Sequence, residues 1–410
     1  MRYIFIIFFT CSHFAVQSQA RTLEDFVGQA QQNSPVLKEL GNQIQSNGLD
    51  SMILRATFKT QVNFITSNNY SPVLKGYGYD GAITNGANIS ALVQASRNFL
   101  TPANVAIQYR TIALQNLALA DTIKISEQDI KRSVIDWYVT TYGDQVALNF
   151  NRQVYSLLQK EEAALKKLTQ TGIYRQTDYL TFYVTLQQQA LTLSQAEAQY
   201  NADYLTLNYL AGIVDTIVYR IQAPDLTGGA QMSLYNSVFY QKFVNDSLLL
   251  VNQRALINYS YKPRIGAYMD VGYISSLVTG AGRNFGFSFG VSLIVPIYDA
   301  HQRVFQLRKV GIAENTRLAK KEYFVNQYRQ LIAQLNQQLR ATDALVASIQ
   351  QQITYANTLI TANSKLLATG DIRIADYVLA LNNYLTAQNL LNQHTINRLR
   401  IVNQINYWNR

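Results

Sequence analysis

Two long runs of residues with almost no helix-breaking residue constrain the fold of this chain more than any other feature. The runs 101–171 and 300–369 each hold a single glycine and, after Pro102 near the start of the first, no proline. Because proline and glycine interrupt helices, each run predicts one continuous α-helix, roughly 100 Å long at 1.5 Å per residue. Gly172 and Gly370 follow the runs directly, where glycine commonly ends a helix. No ordinary globular domain needs helices of this length.

The two helix-ending glycines belong to a duplicated segment. Each copy reads Thr-Gly, then five residues, then Asp-Tyr, with Gly172 and Asp178 in the first copy and Gly370 and Asp376 in the second. Gly370 lies 198 residues after Gly172, close to half of the chain, so the sequence predicts an internal repeat. The two aspartates occupy the place of an N-cap or first-turn acid in the helix that follows.

Each half predicts the same order of elements: a helix, two short strands, a very long helix and a returning helix. The first repeat is 21–215, with elements at 22–54, 58–67, 88–96, 101–171 and 177–211. The second repeat is 233–410, with elements at 233–259, 264–275, 285–296, 300–369 and 374–408. A linker at 216–232, which contains Pro224 and a Gly-Gly pair, joins them. The sequence therefore predicts a mainly α protein with a small β part.

Residues 1–20 predict a secretory signal peptide. An unbroken apolar run, Tyr3 to Phe9, precedes a small-x-small cleavage site at Ser18-Gln19-Ala20. Two alternatives stay open: a membrane anchor, for which the run is short, and a lipid anchor on Cys11, whose preceding residues fit a lipobox poorly. Cys11 is the only cysteine, so the exported chain would have none, which excludes a disulfide scaffold and a cysteine nucleophile. No later run is long enough to predict a transmembrane helix.

The chain is basic, with 35 Lys and Arg against 25 Asp and Glu and a formal net charge of +10. The basic residues are spread thinly and form no dense stripe of the kind that binds nucleic acid. We therefore expect no nucleic-acid partner and attribute the excess to solvated surface. No cofactor and no metal site are expected either, since His13, His301 and His394 have no ligand spacing.

The second long run carries apolar or small residues at alternating spacings of four and three. The residues of this seam are Leu335, Leu339, Thr342, Val346, Ile349, Ile353, Ala356 and Ile360. Such a heptad pattern predicts a helix that packs as a coiled coil. The remaining surface of the helix is rich in Gln and Asn, which fits either a soluble filament or the water-facing wall of a tunnel.

Period-two alternation marks the strands. Large apolar residues occupy every odd position from Phe285 to Val295, and mainly small residues alternate with them. The segment 265–273 has the same pattern, and 58–66 and 89–96 have weaker versions. In an exported protein, an apolar face beside a small polar face predicts membrane β-strands, and aromatic residues near the strand ends suit the membrane interfaces. Those aromatic residues are Tyr70, Phe99, Tyr273, Phe285 and Tyr298. A small soluble β-domain is the alternative.

Four strands are too few to close a membrane barrel, which needs about eight. Unpaired strand edges are not tolerated in lipid. Several copies of the chain must therefore combine their strands, and three copies would give about twelve.

The ordered pattern resembles the TolC family of outer-membrane efflux proteins over essentially the whole chain after residue 20. The duplicated turns at Gly172 and Gly370 carry the resemblance, together with the hairpin before each long helix. The strand-to-helix junction Val-Pro-Ile-Tyr-Asp, with Pro296, Tyr298 and Asp299, also matches.

The resemblance implies a TolC-like homotrimer with four membrane strands per protomer in a twelve-stranded barrel, and long coiled-coil helices in the periplasm. Its place would be the outer membrane of a Gram-negative bacterium, in contact with outer-membrane lipid. It implies a passive export conduit, not an enzyme, whose partners are a periplasmic adaptor protein and an inner-membrane pump of the RND or ABC type, in efflux or type I secretion. The turns at Gly172 and Gly370 would dock the adaptor. A periplasmic coiled-coil scaffold without pore activity is the alternative function.

The resemblance also implies a gate at the periplasmic tip. Asp178 is similar to the family's ion-pairing tip aspartate and Asp376 to one of its ring aspartates. Arg373 lies one position from the usual basic partner and is a candidate partner for Asp178. Leu379 stands where the family often has a second ring aspartate, which favours a single carboxylate ring. Such a ring would attract cations to a narrow axis; simple helix capping by both aspartates stays open.

Two catalytic motifs appear without the context that they need. Gly286-Phe-Ser288-Phe-Gly290 matches the G-x-S-x-G pattern of esterases but lies inside a predicted strand instead of a strand–turn–helix corner. The segment 76–81 matches G-x-G-x-x-G, but a strand and not a helix follows it. We expect no catalytic residue, and an exported esterase that uses Ser288 is the remaining enzyme hypothesis.

Overall fold

The computed structural model describes residues 21–72, 74–78, 86–228, 233–276 and 281–409. The predicted signal peptide lies outside these residues, as does the end of the G-x-G-x-x-G segment. The described chain is mainly helical and has one small antiparallel sheet, so the predicted fold class is confirmed at that level.

Seven α-helices and four strands occur in the described residues, apart from short 3-10 turns at Leu234–Asn236 and Ala281–Arg283. The helices are α1 (Leu23–Asn33), α2 (Pro35–Thr57), α3 (Pro102–Gln170), α4 (Gln176–Leu210), α5 (Val238–Ser260), α6 (Gln302–Thr369) and α7 (Ile374–Trp408). The strands are β1 (Gln61–Ser71), β2 (Gly86–Phe99), β3 (Arg264–Ser275) and β4 (Phe285–Ile294).

The single helix predicted over 22–54 is instead two helices that meet at Ser34. Thr22 and Asp25 form a capping box at the start of α1, each side chain accepting the other residue's backbone N–H. Pro35 has no N–H and disfavours helical backbone at the residue before it, and Ser34 adopts φ −57° and ψ 118°. Proline therefore separates α1 from α2.

The strands form one sheet in the order β1–β2–β3–β4, with every neighbouring pair antiparallel. Opposite residues in this register share a face. One row across the sheet consists of Phe64, Val93, Val271 and Phe287, and the adjacent row on the other face consists of Asn63, Gln94, Asp270 and Ser288. The sheet therefore has an apolar face and a polar face, as the alternation predicts.

The ends of three strands differ from the predicted ends. β1 starts at Gln61 and not at 58, because the preceding residues form a turn after α2, in which the Lys59 N–H donates to the Ala56 carbonyl at 3.0 Å. β2 is longer than predicted at both ends. β4 ends at Ile294, two residues before Pro296, which has no N–H to donate to a ladder.

The chain forms two compact units, and each takes segments from both repeats. Of the described residues, the helical unit takes those within 1–35, 126–233 and 327–410, and the strand unit takes those within 36–125 and 234–326. A repeat is therefore a unit of sequence but not a compact unit, because α3 and α6 each contribute residues to both.

The heptad seam of α6 lies on the buried side of the helix. Leu335, Thr342, Ile349 and Ile360 are 2–7% exposed, and the other seam residues are half-buried. The predicted face of the coiled coil is thus confirmed. In the same unit Phe26 packs edge-on against Tyr138 and Tyr204, at ring-centre distances of 5.8 and 6.2 Å.

Candidate functional site

The two duplicated turns of the helical unit have the same backbone geometry. At the end of α3, Gly172 has φ +80°, its N–H donates to the Thr169 carbonyl, and the next N–H donates to the Leu168 carbonyl. At the end of α6, Gly370 has φ +85° and makes the corresponding pair of bonds. Both turns are Schellman motifs, which need a left-handed residue at the position that the sequence gives to glycine.

The structure brings the two turns together. The Tyr174 hydroxyl donates to the carbonyls of Leu367 and Ile372, at 3.1 and 3.0 Å, so a side chain from the first turn satisfies backbone groups of the second. A Cβ atom on Gly370 would lie 2.5 Å from Cγ2 of Ile173, whereas a Cβ on Gly172 would meet nothing within 4 Å. Gly370 is therefore packed against the first turn, whereas Gly172 faces open space.

An apolar core supports this pair of turns. It consists of Val154, Leu158, Leu165, Tyr174, Phe182, Leu186, Ile360, Leu367, Ile374, Tyr377, Ala380 and Leu381. Four helices, α3, α4, α6 and α7, contribute to it, and Phe182 lies 6.2 Å from Tyr377 between ring centres. Burial raises the pKa of Tyr377, and its hydroxyl has no hydrogen-bond partner among the described residues. The core fixes the turns on a rigid base.

The predicted gate residues lie at the starts of α4 and α7. Asp178 and Asp376 both occupy the third helical position, which confirms the predicted first-turn placement. The Asp178 carboxylate accepts the backbone N–H of Arg175 at 3.4 Å. The Asp376 carboxylate is instead held by Arg373, with Nε and Nη2 at 3.0 and 3.3 Å. Within the chain, Arg373 thus pairs with Asp376 and not with Asp178.

The Arg373–Asp376 ion pair is open to water. The Arg373 side chain is 85% exposed and the Asp376 side chain is 43% exposed. An ion pair at this exposure contributes little to stability, so its two charges are free to exchange partners. Leu379, on the same helix, is 61% exposed.

Two tyrosines beside the turns lie near carboxylates and were not predicted from the sequence. The Tyr179 hydroxyl donates to Glu162 Oε1 at 2.5 Å, which raises the pKa of Tyr179 to about 12. The pKa of Tyr174 is raised by burial and by the nearby carboxylates of Asp371 and Asp178. Only the Asp-Tyr part of the duplicated motif marks Tyr179 in the sequence, and nothing marks Tyr174.

A second unpredicted feature of the helical unit is a carboxyl pair on α3 and α4. Burial and the neighbouring Asp203 carboxyl together raise the pKa of Asp144 to about 7, although Arg400 acts in the opposite direction. The Asp144 Oδ2 atom is buried without a hydrogen-bond partner. Single acids on separate helices give no sequence pattern, so this pair could not be found before the helices were placed.

The strand-to-helix junction is a capped turn with unusual backbone. Ala300 and His301 have φ of 52° and 66°, the left-handed region that non-glycine residues seldom enter. The Asp299 carboxylate accepts the Arg303 N–H at 2.7 Å, a hydrogen bond that lowers the pKa of Asp299. Pro296 lies between β4 and this turn, and Tyr298 is 79% exposed. The junction motif therefore ends the strand and starts α6.

The apolar face of the sheet has no cover within the described chain. On β4 its residues Phe285, Phe287, Phe289, Val291 and Leu293 are 64–78% exposed. Phe64 on β1 is 70% exposed, and Met269 on β3 is 59% exposed. A soluble β-domain would bury such a face, so the exposure argues against that alternative.

The polar face is lined by small side chains. The Ser288 hydroxyl donates to Asp270 Oδ1 at 2.8 Å, and Asp270 is 7% exposed. A Cβ on Gly290 would lie 2.6 Å from the Tyr268 ring, so the ring lies over the glycine. Glycine here lets an aromatic side chain lie flat on the sheet.

The two catalytic motifs lie in settings that differ from those the chemistry needs. Ser288 is in the middle of β4 and donates to Asp270, with no turn to a helix beside it. Gly76 belongs to a turn between β1 and β2, and the last residues of its motif lie outside the described residues.

Among the described residues, no three His, Cys, Asp or Glu side chains are grouped so that they could hold a metal ion, and no helix is long and apolar enough to cross a membrane.

Solved structures resemble this chain although sequences do not. No family profile matches the chain, and no curated protein matches it by sequence. Three structures that match are CusC, described in terms of transmembrane channel formation, the Campylobacter jejuni CmeC outer membrane channel, and the outer membrane protein VceC from Vibrio cholerae. Their TM-scores are 0.76, 0.71 and 0.72. Each is 12% identical and covers 94% of this chain and 91%, 85% and 96% of its own.

The chain has the fold of these outer-membrane channels. At 12% identity the likeness lies in the order and packing of elements and not in particular side chains. The roles of individual residues in this channel fold therefore rest on the contacts of this chain alone.

Proposed function

We propose that this chain is a TolC-family protein, the outer-membrane channel of a tripartite efflux or type I secretion system. It acts as a passive conduit that exports small molecules or proteins from the periplasm to the exterior of a Gram-negative bacterium. It has no catalytic role. The sheet lies in the outer membrane, and the helices extend into the periplasm.

The exposed apolar face of the sheet carries the proposal. Its large side chains are mostly uncovered in the chain, and removing apolar area from water is favourable by about 25 cal/mol per Å². A lipid bilayer supplies that cover for strands whose other face is polar and small. The fold shared with outer-membrane channels supports the same placement.

The open edges of the sheet support a homotrimer. β1 and β4 are the outer strands of the sheet order, and each pairs with one neighbour in the described chain. Lipid offers no partner for the free N–H and C=O groups of an edge strand. Pairing β4 of one copy with β1 of the next closes the edges, and three copies give about twelve strands, within the range of natural membrane barrels.

The tip turns are proposed as the gate and the docking surface. Asp376 forms a ring of three carboxylates around the axis, with Arg373 as its neutralising partner in the closed state and Asp178 nearby. Gly172 and Gly370 form the turns that meet a periplasmic adaptor, which links the channel to an inner-membrane pump of the RND or ABC type. The exposure of the Arg373–Asp376 pair supports this role, because exposed pairs are exchanged at little cost.

Conductance in planar lipid bilayers tests the channel function. Purified protein added to the bilayer should produce stepwise current increases. Folded protein that never conducts would contradict the proposal. Cell fractionation gives an independent check: a periplasmic scaffold would be released without detergent, whereas the proposed channel needs detergent.

The gate is tested by current block. Asp376→Asn should weaken block of the pore by multivalent cations, because it removes charge from the ring. Asp178→Asn, at the equivalent position of the first repeat, is the matched control and should weaken block less. Unchanged block in Asp376→Asn would contradict the assignment of Asp376 to the ring.

Adaptor docking is tested by co-purification. Gly172→Trp or Gly370→Trp should reduce co-purification of the adaptor.

A further inference from the structure

Basic residues collect at the edge of the sheet that is formed by strand ends, which is distinct from the open edges along β1 and β4. β1 and β3 begin at this edge and β2 and β4 end there, and the register places Phe99 opposite Ile265 and Arg264 opposite Ile294. The chain segments at the edge, 55–60, 97–101, 258–264 and 295–303, contain six Lys or Arg residues and one acid. We define five of these cations as the basic belt: Arg55, Lys59, Arg97, Lys262 and Arg303. Arg264 starts the polar face and is not part of the belt.

The charge of the belt is not neutralised within the chain. All five side chains belong to exposed residues, and none forms an ion pair in the part of the chain that the structure describes. Arg303 donates to the neutral Asn258 side chain at 3.0 Å. The single acid at this edge, Asp299, is already used to cap α6. The belt is therefore a band of net positive charge.

Aromatic rings hold three of these cations. The Arg97 guanidinium lies 5.5 Å from the Phe99 ring centre, the Lys262 ammonium 4.2 Å from that of Tyr259, and the Arg303 guanidinium 5.8 Å from that of Tyr261. Cation–π contacts of this kind orient the charged groups while leaving their outer side free. Aromatic rings beside basic groups are also the side chains that suit a membrane interface.

The position of Arg97 selects the partner. It lies in the register row of Ala267, on the apolar face, only two residues from the end of β2. A guanidinium at that place is unfavourable in hydrocarbon but favourable beside a phosphate, to which it can donate two hydrogen bonds. Its ring partner Phe99 is nearer the edge, so Arg97 reaches away from the apolar centre of the face.

We propose that the basic belt binds anionic phospholipid head groups of the membrane leaflet at the helix side of the sheet. The inference rests on the proposed function, since it requires the apolar face to be in lipid. The partner is a lipid and not a free anion because the belt borders an exposed apolar face that a head group's own acyl chains would cover. The opposite edge, where β1 and β3 end, carries less positive charge: its described charged residues are Lys75 and Arg283 alone.

Spin-labelled lipids test the inference on the full-length protein in phosphatidylcholine vesicles. The measurement is the relative association of labelled phosphatidylglycerol and labelled phosphatidylcholine with the protein surface. Wild type should prefer phosphatidylglycerol, and Arg97→Gln with Lys262→Gln should reduce that preference by at least about fivefold, the effect of one basic residue near an anionic surface. Lys75→Gln with Arg283→Gln, at the opposite edge, should leave it unchanged. The charge-preserving pair Arg97→Lys with Lys262→Arg should retain it.

Each other outcome is decisive. A wild type without preference, or a preference that survives Arg97→Gln with Lys262→Gln, overturns the inference. Competition by millimolar inorganic phosphate at constant ionic strength would identify a free-phosphate site and overturn it too. If neither label is immobilised by the protein, the membrane placement fails and the proposed function fails with it. Immobilisation of both labels to the same extent leaves the channel proposal intact and rejects the belt alone.

Discussion

The large apolar side chains are buried in the core beneath the tip turns but exposed in the sheet. In the tip core, Phe182, Tyr377 and Leu381 are fully buried, whereas the Arg373 side chain at the start of α7 is 85% exposed. In the sheet, Phe287 and Phe289 are 77% and 78% exposed, while Asp270 on the other face is 7% exposed. The same chain thus follows the rule for water in one region and reverses it in the other. The proposed placement of the sheet in lipid accounts for this difference.

The largest effect should come from the core. Leu381→Ala removes a fully buried side chain and should lower the free energy of unfolding by about 2–5 kcal/mol. Phe289→Ala removes a larger side chain that touches little of the chain. It should lower the free energy of unfolding by less than half as much as Leu381→Ala. Denaturant unfolding in detergent, followed by helical circular dichroism, measures both. Equal losses would break the comparison.

A charge on the apolar face should have the next largest effect. Phe287→Lys places an ammonium in the middle of the proposed lipid face, at a cost of about 2–4 kcal/mol. Asn68→Lys, on the same face but near the hairpin end of β1, should cost about 0–1 kcal/mol. The yield of folded oligomer in outer-membrane fractions reports the difference. Normal assembly of Phe287→Lys would argue that this face is in water.

Smaller effects should separate the two tip turns. Alanine at Gly172 or Gly370 must adopt left-handed backbone, which costs about 1–2 kcal/mol in unfolding free energy. Gly370→Ala should cost at least about 1 kcal/mol more, because its Cβ meets Ile173. Adding Ile173→Ala to Gly370→Ala should remove this additional loss of unfolding free energy. Adding Ile173→Ala to Gly172→Ala should give no such recovery. An excess that persists in the double variant would contradict the packing of the two turns.

The smallest expected effect is a pH dependence in the helical unit. The pKa of Asp144 is raised from near 4 to about 7, so the folded protein holds a proton that the unfolded chain releases between these pH values. Stability should therefore fall as the pH rises from about 4 to about 7. Asp144→Asn should reduce this loss of stability. The difference in Tm between pH 5 and pH 8 should be smaller in the variant than in wild type by at least about 2 °C. Glu197→Gln, an exposed acid, should keep the wild-type slope.

The sequence was most informative where one periodic pattern governs many residues. The long helices, the α6 seam and the alternation of β3 and β4 all follow from spacing alone. The glycine that ends each long helix was also predictable, because Schellman turns require left-handed backbone. Local sequence effects explain the errors: Pro35 divides a predicted helix, and the turn that follows α2 takes residues predicted for β1.

Features made by separate segments could not be read from the sequence. Tyr174 bonds to Ile372, which lies 198 residues later in the sequence. The partner of Arg373 depends on side-chain geometry, which the spacing of residues in the sequence does not determine. The paired acids Asp144 and Asp203 lie on different helices. The gate and docking roles of Asp178, Asp376, Arg373, Gly172 and Gly370 stay predictions.

The reversed burial of the sheet is tested most directly at two consecutive residues of β4. Single cysteines at Phe287 and Ser288, in a Cys11→Ser background, would be treated in proteoliposomes with a membrane-impermeant maleimide. The thiol at 288 should react, because its face lines the aqueous path, and the thiol at 287 should be protected by lipid. Equal reaction of both thiols would contradict a lipid face and, with it, the channel.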